Sequence, residues 1–101
     1  MITDVSSRNG MYYTLDEQGN EIARDWEDSM GELKGFSSKF MVFLYNGMYY
    51  TRDENFKEIA RDWKDSLGDF RSVAGNSVNF LYNGMIYTRD SDLKEISRRW
   101  A

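Results

Sequence analysis

The chain of 101 residues contains no cysteine, no histidine and no proline. Without cysteine it can form no disulfide, thiolate nucleophile, iron–sulfur cluster or cysteine-ligated zinc site, and cysteine usage carries no compartment signal. Without histidine it lacks the commonest general base and the commonest metal ligand, so catalysis would have to rest on carboxylates, Lys, Tyr or Ser. Nucleophile elbow, phosphate loop, dinucleotide fingerprint and EF-hand loop are all missing. Positive charge is the minority sign, 13 Lys plus Arg against 17 Asp plus Glu for a net charge of −4, which argues against nucleic acid as a partner. Apolar stretches are too interrupted by charge to span a membrane. The segment Met1–Gly10 is polar, carries Asp4 and lacks the basic start and apolar run of a secretory signal, so cytoplasmic residence is the expectation.

What is present is a repeat. Asn9-Gly10-Met11-Tyr12-Tyr13-Thr14 returns as Asn46 to Thr51 and again as Asn83-Gly84-Met85-Ile86-Tyr87-Thr88, at an offset of 37 residues both times. Glu21-Ile22-Ala23-Arg24-Asp25-Trp26 is identical to Glu58–Trp63 and returns as Glu95-Ile96-Ser97-Arg98-Arg99-Trp100. Residues 9–45 and 46–82 share 20 of 37 positions. The chain therefore reads as a single domain, 1–101, made of three units at 1–37, 38–74 and 75–101. With 41% hydrophobic and 16% aromatic residues it has the means to fold.

Asn-Gly between apolar strand formers is a strong hairpin signal, because both residues accept the positive φ of a type I′ turn. A two-residue loop sets the register of the second unit, with Tyr45 opposite Met48, Leu44 opposite Tyr49 and Phe43 opposite Tyr50. The leading strand of the first unit, Asp4-Val5-Ser6-Ser7-Arg8, is far more polar than its counterparts, as suits the exposed end of a repeat array.

The segment after each hairpin admits two readings. As a helix, Phe56, Ile59, Ala60, Trp63 and Leu67 form one apolar stripe, Gly68 and Gly31 follow as terminators, and Asp53, Glu54, Asp90 and Asp92 sit where a helix dipole favours acid. As a strand, Arg61 shares a face with Ile59 and Trp63, a less clean pattern. With only four Val and four Thr in the chain, composition leans to helix. The expected fold class is α+β, three tandem β-hairpin plus helix repeats of about 37 residues with helices near 20–30, 55–67 and 91–100. The alternative is an all-β propeller-like meander, in which Asp16–Asn20 becomes a hairpin loop and Phe70–Val73 a further strand.

Three groups of residues are candidates for function. Adjacent tyrosines in a strand point to opposite faces, so among Tyr12, Tyr13, Tyr49, Tyr50 and Tyr87 one row is free for a partner unless helices or a second sheet cover it. Trp26, Trp63 and Trp100, four residues beyond an Ile on the helical stripe, are expected in the core. The acidic clusters Asp16/Glu17, Asp53/Glu54 and Asp90/Asp92 could in principle supply paired carboxylates, but they recur in every unit beside an expected helix start. Arg24, Arg61 and Arg98 read as a solvated face with Glu21, Glu58 and Asp65 as ion-pair partners.

Over Tyr12–Trp26 the first unit resembles the aromatic hairpin repeats of choline-type cell-wall-binding modules, and also a blade of fucose-binding propeller lectins. Those resemblances would imply carbohydrate binding. Gly19 becomes Phe56 and Leu93 in the other units, and the 37-residue period belongs to neither family.

The expectation drawn from these features is a non-catalytic binding module without cofactor or metal. Protein–protein recognition comes first, for example as a small acidic inhibitor or immunity-type protein with a basic partner. A multivalent carbohydrate-binding domain is the second reading. A self-assembling structural unit, a homo-oligomer joined through free edges of Phe40–Tyr45 or of the last hairpin, is the third.

Overall fold

A computed structural model describes residues 1–101 as three antiparallel sheets. With 60% strand and 8% helix, the chain is a largely β fold, and the expected hairpin-plus-helix unit gives way to a strand meander. The first sheet holds β1 (Asp4–Arg8), β2 (Met11–Leu15) and β3 (Glu21–Trp26). The second holds β4 (Glu32–Phe36), β5 (Met41–Tyr45), β6 (Met48–Arg52) and β7 (Glu58–Trp63), and the third β8 (Asp69–Ala74), β9 (Ser77–Tyr82), β10 (Met85–Asp90) and β11 (Glu95–Trp100). Spatial order within every sheet follows chain order.

The Asn-Gly turns form as their residues dictate. Asn9, Asn46 and Asn83 take φ of 52°, 50° and 49°, and the glycines after them 77°, 76° and 78°. Tyr45 pairs with Met48, Leu44 with Tyr49 and Phe43 with Tyr50, the register a two-residue loop requires.

The expected helices are absent at 20–30, 55–67 and 91–100 because the last two strands of each meander are joined by a tight polar loop. Asp16 Oδ1 accepts the backbone N–H groups of Gln18 and Asn20, Asp53 Oδ1 those of Asn55 and Lys57, and Asp90 Oδ1 those of Asp92 and Lys94. These aspartates hold turns rather than helix starts. The chain then returns as β3, β7 or β11. What survives of the helices is one turn each, α1 (Glu27–Met30) and α2 (Lys64–Leu67), ended by Gly31 and Gly68. A register shift between Thr51 and Arg52 breaks strict alternation in β7, which is how a strand carries the spacing of a helical stripe: Ile59 and Ala60 both pack against the core while Trp63 stays outside. Phe70–Val73 lies within β8, as the meander reading requires.

The sheets stack face to face. Between the first and second lie Ile2, Met30, Met41, Phe43 and Phe56, with Val5, Tyr12 and Ala23 against them. Between the second and third lie Phe40, Val42, Tyr49, Leu67, Val78, Phe80 and Leu93. The middle sheet is thus apolar on both faces. The outer face of the first sheet carries Ser6 and Arg8 where the second has Phe43 and Tyr45. On the far face of the third sheet Asn79 and Ser97 stand where the middle sheet has Val42 and Ala60. Polar substitution at both ends is what leaves those faces stable in water.

Hydroxyls lock each sheet to the next. Thr14 Oγ1 donates to the Glu54 carbonyl at 2.7 Å, and Thr51 Oγ1 to that of Ser91 at 2.6 Å; both threonines are fully buried. Within the third sheet Gly68 marks a close approach of the entering chain to β9, since a Cβ there would collide with the Leu81 carbonyl oxygen.

Candidate functional site

The expected tyrosine set divides into two kinds. Tyr12 Oη donates to the Gly31 carbonyl at 2.8 Å and accepts the Leu33 N–H, while Tyr49 Oη donates to Gly68 and accepts from Phe70, each at 3.0 Å. Both rings lie between sheets, Tyr49 only 1% exposed, and both hydroxyls pin the start of the next meander. Burial raises the Tyr12 pKa above the usual tyrosine value; the Leu33 N–H opposes this, and the charges of Glu27 and Glu32 add to it. Of the two tyrosine rows, Tyr12 and Tyr49 are therefore the one that the next sheet covers, with their hydroxyls committed to backbone. Ile86 stands in this place in the third unit.

The second row, Tyr13, Tyr50 and Tyr87, shares one local design. Each ring lies between two guanidinium groups: Arg8 and Arg24 at 4.9 and 5.3 Å from the Tyr13 centroid, Arg52 and Arg61 at 5.3 and 5.8 Å from Tyr50, Arg89 and Arg98 at 5.7 and 5.1 Å from Tyr87. Arg24, Arg61 and Arg98 also pair with Glu21, Glu58 and Glu95 on their own strands. Their pKa values are raised, Arg24 and Arg98 chiefly by those carboxylates and Arg61 chiefly by Tyr50, so the cations persist at every working pH. Tyr50 is covered by the first sheet, whereas Tyr13, on the outer face, is covered by side chains alone.

A cavity of about 280 Å³ opens on that outer face, lined by Ser6, Arg8, Tyr13, Leu15, Gly19, Asn20 and Glu21. Its origin is visible by comparing units. Phe56 and Leu93, the equivalents of Gly19, turn buried side chains inward from left-handed backbone at φ of 66° and 63°. Arg52 Nη1 and Arg89 Nη1 hold their carbonyls at 2.8 Å. In the first unit those two places are taken by Leu15 and Gly19, and a Cβ built on Gly19 meets nothing within 4 Å.

The tryptophans are not core residues. Trp26, Trp63 and Trp100 are 58%, 57% and 78% exposed, because each ends an outer edge strand and pairs only with Met11, Met48 or Met85 of the neighbouring strand. Three indoles therefore mark one edge of three sheets. Beside Trp26 and Trp63, the carboxylates Asp25, Glu27, Asp28, Asp62 and Asp65 enter no ion pair. Sequence reasoning assigned the indoles to the core through the helical stripe. The signal that places them outside is the alternation Arg61-Asp62-Trp63, in which the indole shares its face with a charged residue.

Met41–Tyr45, expected as part of a free edge, is a central strand between β4 and β6. No helix is long and apolar enough to cross a membrane. No protein-family model and no curated protein matches the chain.

Proposed function

We propose that the chain is a non-catalytic protein-recognition module that binds through its tryptophan edge. The observation that carries this reading is the repeated exposure of Trp26, Trp63 and Trp100 at equivalent strand ends, each paired with a methionine and two residues after an arginine. An indole left in water forgoes about 2–3 kcal/mol of burial, which a partner can recover. Trp, Arg and Met are the side chains enriched at interface centres. The five unpaired carboxylates around Trp26 and Trp63, with the net charge of −4, favour a basic partner.

The test is capture of partners on immobilised protein, wild type beside the triple variant Trp26→Ala/Trp63→Ala/Trp100→Ala, with folding checked by circular dichroism. A partner retained at low salt, released as salt rises and lost from the variant supports the reading. The same partners on both proteins would refute it.

A glycan-binding function is the second reading, favoured by the recurrence of the indole in all three units, since weak sugar sites gain strength in series. A sugar-array signal that disappears in the triple variant would replace protein recognition with this reading.

A further inference from the structure

The outer face of the first sheet contains a socket that its own chain leaves empty. In the second and third units the same socket is filled from within by Phe56 and Leu93. The Phe56 ring packs 6.3 Å from Phe43, with Tyr50 in the same cluster. In the first unit Gly19 withdraws the plug and Ser6 replaces the Phe43 ring, while the Tyr13 ring stays beneath Arg8 and Arg24, 7% exposed, and Leu15 supplies an apolar wall. The volume, about 280 Å³, falls just below the range of drug-sized ligand sites and suits one ring or branched side chain.

The rim carries its positive charge at a different place from the two filled sockets, since Leu15 replaces Arg52 and Arg89. Arg8 replaces Tyr45 and Tyr82, and it enters no ion pair. Arg24 is already matched to Glu21, so the socket retains the single positive charge of Arg8. A carboxylate placed there gains an oriented guanidinium partner.

The geometry points to this socket as a binding site for one aromatic or branched apolar side chain with a carboxylate beside it. The chemistry is that of a peptide C-terminus ending in Phe or Leu, for which an N-acylated amino acid is the minimal probe. This site stands apart from the tryptophan edge, and Trp63→Ala/Trp100→Ala should carry it unaltered.

Its test is a heteronuclear NMR titration of the 15N-labelled chain with N-acetyl-L-phenylalanine. Saturable shifts are expected at the amides of Ser6, Tyr13, Leu15 and Gly19. N-acetyl-L-phenylalaninamide, which lacks the carboxylate, should bind about two- to fivefold more weakly, the loss of one partly exposed ion pair. Gly19→Phe should abolish the shifts by supplying the plug in cis; the backbone angle is one that Phe56 already adopts. Ser6→Phe, on ordinary strand backbone, serves the same purpose should the first variant not fold. Absence of saturable shifts, or shifts undiminished in the filled variants, would overturn the assignment, as would saturation of these amides by methyl glucoside but not by the acid.

Discussion

Thr51 Oγ1 donates to the Ser91 carbonyl at 2.6 Å, joining the buried face of the second sheet to the loop of the third. The residues are 40 apart, and Thr14 repeats the bond to Glu54 at the same separation. The side chain thus makes its short bond between meanders, with only a longer one, 3.4 Å to Ala60 or Ala23, inside its own. Thr51→Val keeps the shape and removes the donor, leaving a carbonyl short of its partner; chemical denaturation should show a loss of about 1–3 kcal/mol. A change below about 0.3 kcal/mol would mean that water replaces the hydroxyl.

Tyr12 makes stability depend on alkali. Its pKa is raised above the unfolded value of about 10, so the folded chain favours the neutral phenol. Its contribution is fully present below the unfolded value and is lost as pH rises through the higher folded one. Tyr12→Phe should lower stability at neutral pH by about 1–3 kcal/mol, through loss of the bonds to Gly31 and Leu33. The gap between variant and wild type should narrow above about pH 10. Urea midpoints measured across that range test both statements, and a constant gap would contradict the second.

Glycines with similar backbone angles should differ sharply in tolerance. At Gly68, φ is 98° and an added methyl meets the Leu81 carbonyl oxygen, whereas at Gly47, φ is 76° and nothing lies within 4 Å. Gly47→Ala should cost about 1–2 kcal/mol, the strain of left-handed backbone alone. Gly68→Ala should cost clearly more, because the third sheet must shift to admit the methyl. Thermal unfolding of the pair reads the difference directly.

Aromatic truncations should separate core from surface. Phe43 is fully buried between the first two sheets, and Phe43→Ala should cost about 3–5 kcal/mol. Trp63→Ala, although it removes the larger ring, should cost about 1 kcal/mol or less, since more than half of that residue is already in water. Equal losses would return the indole to the core.

The legible part of this fold was local. Asn46-Gly47 carries its own backbone preference, so the hairpin and its register followed from two residues and the loop length. The strand ending at Trp63 was not legible in the same way. Phe56, Ile59, Ala60 and Trp63 satisfy a helical period, but Phe56 belongs to a turn, the bulge sets Ile59 and Ala60 on one side, and Trp63 lies outside. Three different local structures produced one apparent stripe. What selects the strand is a ladder to Met48–Arg52 together with packing against a sheet 37 residues further on, neither of which periodicity within one segment encodes. The socket was half legible: the exchange of Phe56 for Gly19 is plain when the units are aligned, but only stacking shows that it leaves a space.

Only the middle sheet is oily on both sides, and it joins its neighbours through fixed hydroxyl and glycine contacts. It is therefore the interchangeable piece of the molecule. A duplicate of residues 38–74 spliced in beside the original would meet the surfaces it was shaped for, lengthening the pile by one layer and adding a fourth indole, while the water-compatible end layers stay where they are.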